Sequence, residues 1–299
     1  MARSTMMMES GSRPGSGLVS WIREHPLRAY FALAFAGTWV VFSPIILSKV
    51  LGLFSLPDSA AVLLFILSTF TGPFVAALVV TNAIGGRPGL GKLFRRMVQW
   101  RVGIQWYLLV LLGYPALLYV GLTLAEGPGL LANPVESLPL LASAYLPNVV
   151  LGILMPGLGE ETGWRGFALP RLERLYGPLL GSLVLGILHA LWHLPAYLTP
   201  GFIQAGPFDP VIFVANSGAI IASTFLWTWL FNNARGSILF AMLFHAASNA
   251  SLMLIGRLAL APFANTWAGL EIFGVAALAV IALTRGRLSY DPETMPEVD

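Results

Sequence analysis

The chain contains no cysteine, only four histidines and very little charge. The missing cysteine excludes disulfides, thiolate metal sites and cysteine nucleophiles together. Asp, Glu, Lys and Arg make up 10% of the 299 residues, against about 25% in an ordinary soluble domain. That is too few to cover a water-facing surface. The formal net charge of +3 gives no footing for a nucleic-acid partner. What is abundant is apolar: 57% of residues are hydrophobic, and mean hydropathy is +0.76. The chain also holds 31 glycines and 21 prolines. Membrane helices tolerate both, because neighbouring groups re-satisfy the backbone. The fold class these numbers imply is all-α: a polytopic bundle in a membrane.

A spanning helix needs roughly 20 apolar residues. Eight segments qualify: 29–48, 61–83, 104–124, 138–159, 178–198, 211–231, 237–256 and 267–284. Residues 1–28 read as a polar, Gly/Ser-rich and then interfacial lead-in, the first 18 disordered. Residues 29–284 form the membrane domain, and 285–299 an acidic, disordered tail. With the N-terminus cytoplasmic, 15 of the 17 basic residues fall on cytoplasmic segments, and only Lys49 and Arg257 fall outside. Eight spans with both termini cytoplasmic follow. No internal repeat of the kind found in many secondary transporters is visible.

Few ionisable groups remain at membrane depth: Glu160, Glu161, His189, His193, His245 and Glu271, joined by Asn249. Such residues are costly in lipid, face the bundle interior and mark function. His189 and His193 share a helix face at i,i+4, as do His245 and Asn249, and Glu161 and Arg165. Glu160 and Glu161 point about 100° apart, so they serve different purposes. Glu161 with Arg165 also reads as a structural ion pair, and Asn249 as interhelical glue. His189 reads as a packed or supporting histidine, and Glu271 as an interfacial residue near the outer end of the last span. An antiparallel hairpin turning near Tyr176 and Gly177 brings Glu160 level with His193. His245 joins that level if the charged stem "RLERLYG" projects beyond the membrane surface.

Three motifs in order then resemble a known family. "EETGWRG" is similar to the EExxxR motif of the CPBP family, the CAAX-protease and bacteriocin-processing intramembrane proteases. "HALWHLP" resembles its FxxxH motif, with His193 at the histidine and His189 where the family often has Phe. "HAASN" resembles its HxxxN motif, with His245 and Asn249. The resemblance covers 138–256. It implies an eight-helix bundle with endopeptidase activity on a membrane-associated peptide or protein, lipidated in CAAX substrates. It also implies a catalytic set of Glu160, Glu161, Arg165, His193, His245 and Asn249.

Without a cysteine or a triad-like serine, hydrolysis would use activated water, with Glu160 as general base. His193 would orient the water, and His245 with Asn249 would stabilise the oxyanion. His193, His245 and either Glu160 or Glu161 are also a ligand set for Zn²⁺. A metal-free route uses the same residues, and the sequence is compatible with both. A proton- or cation-coupled transporter and a non-enzymatic immunity or scaffold protein are the rival classes. The expected location is a bacterial plasma membrane, with the cavity opening on the cytoplasmic half.

Overall fold

A computed structural model describes residues 17–133, 135, 138–203 and 206–296. The expected disorder of the N-terminal residues 1–16, and the last three residues of the tail, lie outside the described residues. The chain runs as α1 (Gly17–Glu24), α2 (Pro26–Lys49), α3 (Asp58–Met97), α4 (Ile104–Glu126) and α5 (Leu138–Glu161). It continues as α6 (Trp164–Leu198), α7 (Pro210–Asn233), α8 (Ile238–Leu258) and α9 (Ala268–Leu283). The all-α membrane bundle is therefore what forms. Seven helices, α2 to α8, are long and apolar enough to cross a membrane, and the expected eighth is the 16-residue α9. At 1.5 Å per residue α9 reaches about 24 Å, short of a ~30 Å hydrocarbon core. Met295 nevertheless packs against the apolar cluster that includes Ile22 and Tyr30, and Pro296 lies beside Gly236 at the turn after α7. That geometry requires α9 to run the full return path beside α7.

Two helices are longer than a membrane is thick because each turns at a glycine. Gly86 (φ 56°) bends α3, and Gly177 (φ 75°) bends α6, at conformations other L-residues rarely adopt. The Gly177 bend is the hairpin anticipated from the sequence. The stem before it does not project. Leu172 and Glu173 are buried, and Asn232 Nδ2 donates to Glu173 Oε1 at 2.8 Å, so the stem lies packed under the bundle. The tail also departs from expectation. Leu288 is fully buried, its carbonyl accepts from Asn232 Nδ2 at 3.0 Å, and residues 285–296 fold back on this end.

Among the described residues, five stretches widen into π-helix: Phe70–Phe74, Leu109–Gly113, Leu141–Tyr145, Ile153–Glu161 and Trp164–Ala168. Each contains a proline or shortly precedes one, namely Pro73, Pro115, Pro147, Pro156 and Pro170. The ring clashes with the carbonyl one turn back and removes a donor, so the helix opens locally to relieve it. Two of these widened stretches overlap the EETGWRG segment and meet across Thr162 and Gly163.

Tight packing holds that segment against α2 and α3. A Cβ on Gly163 would collide with the Tyr30 hydroxyl and lie 2.5 Å from the Pro73 carbonyl oxygen. Trp192 Nε1 donates to Thr38 Oγ1 at 2.8 Å, and Thr38 Oγ1 donates on to the Ser68 carbonyl, tying α6, α2 and α3 together. Gly163→Ala should therefore cost about 1–3 kcal/mol, the usual penalty for overpacking. It should appear as a lowered unfolding midpoint of the detergent-solubilised protein; Gly91→Ala, which meets open space, is the control.

Candidate active site

The two glutamates sit at the end of a π-helical stretch and diverge as their angular offset demands. Glu160 Oε2 meets His189 Nε2 at 3.1 Å. Glu161 Oε1 receives two hydrogen bonds, from Arg165 Nη1 at 3.1 Å and from His245 Nδ1 at 2.8 Å. The i,i+4 pair anticipated between Glu161 and Arg165 is present and fully buried. Breaking such a pair is costly because the partner is left charged and unsolvated. Arg165 finds a second partner in Trp227, whose ring centroid lies 4.2 Å from the guanidinium carbon. The same indole stands edge-on to His245, 5.5 Å away. Trp227 thus braces both groups. Attention to ionisable residues alone passes over it.

His193 marks the end of the long arm of α6. Pro195 interrupts the ladder there, and the His193 backbone N–H bonds Ala190 rather than His189. The His189 carbonyl, left over, accepts from His193 Nδ1 at 2.9 Å. A carbonyl can only accept, so Nδ1 carries the proton and Nε2 is the free nitrogen. The His189 ring packs between Trp164 (5.1 Å) and Trp192 (6.0 Å) and lies 4.9 Å from His193. Glu160 therefore has the partner that its sequence neighbourhood lacked, supplied from 29 positions away.

Glu160, His189 and His193 each offer a ligand atom within 4.8 Å of the others. This set includes His189 and omits His245, whose Nδ1 is taken by Glu161. The metal set expected from the sequence paired His193 with His245, and the geometry groups His193 with His189 instead. Asn249 stands one helical turn beyond His245 on the wall of the same cavity. Glu271 lies away from the site, bonded to Asn265 Nδ2 at 2.9 Å.

These residues line a cavity of about 1020 Å³, with Glu160, Arg165, His189, His193 and His245 at its foot. Its walls are apolar, including Phe65, Ile66, Ile220 and Phe273, and it extends to Lys49, Asp58, Gly201 and Phe202. Lys49 ends α2, Asp58 begins α3, and Gly201 and Phe202 follow α6, at the end opposite the basic segments. At the basic end a separate, smaller pocket of about 260 Å³ is lined by Lys92, Arg96, Gly166, Phe167 and Arg171. On that side Trp164, Phe167 and Leu169 are fully buried, and Arg96 clamps the carbonyls of Gly236 (2.9 Å) and Gly166 (2.8 Å). Arg96 appeared in the sequence as a loop charge. Its role depends on the bend at Gly86, which lays it under the bundle.

The fold and site together define a class: a polytopic α-helical membrane protein with a buried glutamate–histidine cluster at the foot of a membrane-depth cavity. Residues 142–251 match the family described as Type II CAAX prenyl endopeptidase Rce1-like. The chain is also similar to CAAX prenyl protease 2 of Methanococcus maripaludis, with 29% identity over 113 residues. That alignment takes in 37% of this chain and 41% of the relative, so the chain spans less than half of the relative it matches. Over residues 142–251 the chain is therefore similar to the CPBP family.

Arg165→Met should strand the Glu161 carboxylate and cost about 3–5 kcal/mol, as expected when one member of a buried pair is removed. Adding Glu161→Gln to the same chain should restore much of that loss. Thermal or denaturant unfolding in detergent reads both, and a double variant no more stable than the single would argue against a coupled pair.

Proposed function

We propose that the protein is an intramembrane endopeptidase of the CAAX-protease type, hydrolysing a peptide bond of a membrane-associated protein or peptide with activated water. The observation that carries this reading is Glu160: a buried carboxylate bonded to His189, beside His193, at the foot of a cavity large enough for an extended peptide. A carboxylate at this depth has a cost that packing does not explain.

In this reading a water sits between Glu160 and His193. The lone pair on His193 Nε2 accepts one of its hydrogens, and Glu160 abstracts the other as the oxygen attacks the peptide carbonyl carbon. Glu160 then delivers that proton to the departing amine nitrogen, so the carboxylate is regenerated. His245 in its imidazolium form donates Nδ1–H to Glu161 and leaves Nε2–H for the cavity, where it and Asn249 would stabilise the oxyanion. Fixed donors in a site of low dielectric are worth more than the same donors in water. Glu161 and Arg165 hold His245 in place and touch no reacting atom.

The Glu160, His189 and His193 set also fits zinc, which accepts two imidazoles and a carboxylate and keeps a fourth position for water. Bound there, zinc would supply a water of lowered pKa. The chain's own residues orient the substrate in either case. The apolar walls favour a substrate with a hydrophobic segment or a lipid group. Prenylated CAAX ends and bacteriocin-type peptides both fit that description.

Glu160→Gln should lower peptidase turnover about 10²–10⁴-fold, the range for loss of a general base. His189→Phe removes one hydrogen bond to that base, a loss of about 1.5–3 kcal/mol or roughly 10- to 100-fold. Comparative peptidomics of membranes from wild-type and Glu160→Gln cells identifies the substrate, and purified protein then gives the rates. Identical peptide profiles would remove the peptidase reading. Activity that survives exhaustive chelation belongs to the metal-free route, and activity restored by added zinc belongs to the metal.

A further inference from the structure

Beyond the Gly86 bend, α3 continues as a short amphipathic segment, residues 87–97. Leu93 and Arg96 face the bundle and are buried, whereas Lys92, Phe94 and Arg95 are exposed. Arg96 donates to the carbonyls of Gly236 and Gly166, and Ser237 Oγ donates to the Gln99 carbonyl at 2.6 Å. The segment is thus fastened to the turn between α7 and α8. Its outer side, with the residues that follow, presents Phe94, Val98 and Trp100. Basic side chains interleaved with exposed aromatic and aliphatic ones are the composition of a helix that lies in a membrane interface.

Against this segment lies the pocket of about 260 Å³. That is below the roughly 300–1,000 Å³ of sites for drug-sized ligands, so it suits one small group and not a peptide. Gly85 and Gly89 form part of its wall, and a Cβ on Gly85 would meet nothing within 4 Å. Lys92, Arg95, Arg96 and Arg171 supply four cationic side chains, and among the described residues no Asp or Glu lines it. Arg96 is buried, with Nε and Nη1 held by carbonyls at 2.9 and 2.8 Å. Its remaining nitrogen, Nη2, is buried without an acceptor. A guanidinium N–H left in that state is costly, and an anionic oxygen is the acceptor that suits it best.

We propose that this pocket binds the phosphate of an anionic membrane lipid. The phosphate lies among Lys92, Arg95 and Arg96, and the acyl chains lie along Phe94 and Val98. Two features select a lipid over a free ion. The segment belongs to the membrane interface by its own composition, and the exposed apolar side chains beside the basic ones offer contacts that a free ion cannot use. Basic pockets at the ends of membrane helices hold anionic headgroups by the same pairing of charge. The inference is independent of the peptidase reading, since none of these side chains is assigned a part in the chemistry.

The test uses the full-length protein in an uncharged detergent at low ionic strength. Isothermal titration calorimetry is run against dihexanoyl phosphatidylglycerol, dihexanoyl phosphatidylcholine and inorganic phosphate. Phosphatidylglycerol should bind saturably at one site per chain, and phosphatidylcholine, whose headgroup has no net charge, should show no saturable binding over the same range. Arg95→Gln, a change at an exposed side chain, should weaken phosphatidylglycerol binding about fivefold, the usual contribution of one basic residue near an anionic surface. Gly85→Leu fills the pocket without removing a charge and should abolish binding, with the unfolding midpoint unchanged. Equal binding of the two lipids, or binding that neither variant alters, would overturn the proposal. Inorganic phosphate binding as tightly as phosphatidylglycerol would give the pocket to a free ion instead of a lipid. Glu297 and Asp299 follow the pocket-lining Pro296 in sequence. Lipid binding that appears only when Glu297→Gln and Asp299→Asn are combined would give the pocket to the chain's own carboxylates, against the proposal.

Discussion

The Glu161 carboxylate is the interaction on which the site depends. It is fully buried, and one of its oxygens accepts from both Arg165 and His245. An unpaired carboxylate there would be intolerable in a low-dielectric interior. Satisfying it fixes the relation between α8 and the α5–α6 junction that carries EETGWRG. Trp227 from α7 completes the arrangement by covering the guanidinium face and meeting the edge of His245. Four helices, α5 to α8, are thereby registered around one charge. Glu160, next in sequence, is free to turn toward α6.

Proline placement is the second constraint. Prolines accompany π turns at five places, and the tightened turn at His193, whose N–H bonds Ala190, leaves the His189 carbonyl available to the His193 ring. In a soluble helix such interruptions are repaired by water. At membrane depth the freed groups must find protein partners. Here those partners include the site itself: the His193 ring is oriented by a carbonyl that a regular helix would have used. Backbone irregularity and side-chain positioning are therefore a single feature in this bundle.

The Gly86 and Gly177 bends explain how the basic end is packed beneath the site. Each bend lays a helical segment across the basic end, bringing Arg96 under Gly166 and Glu173 under Asn232. The opposite end is crossed by short turns and by the pairing of Leu131 with Ala259, which leaves a gap beside the turn after α6.

The sequence by itself determined the solvent and the ingredients. Hydropathy runs dictated helices in a membrane, and the scarcity of charge made each remaining Glu and His conspicuous. Helical spacing paired Glu161 with Arg165 and separated Glu160 from Glu161, because those relations are local and follow from 3.6 residues per turn. Only the tertiary structure decided which groups meet across helices. His189 rather than His245 joins Glu160 and His193, Trp227 braces Arg165, and the tail folds back through Leu288. Those contacts depend on the rotation and bend of whole helices, set by summed packing and by where glycine and proline allow the backbone to turn. Periodicity within a single segment carries no information about them. The direction in which the cavity opens belongs to the same category, since it is a property of the gaps between helices and not of any one of them.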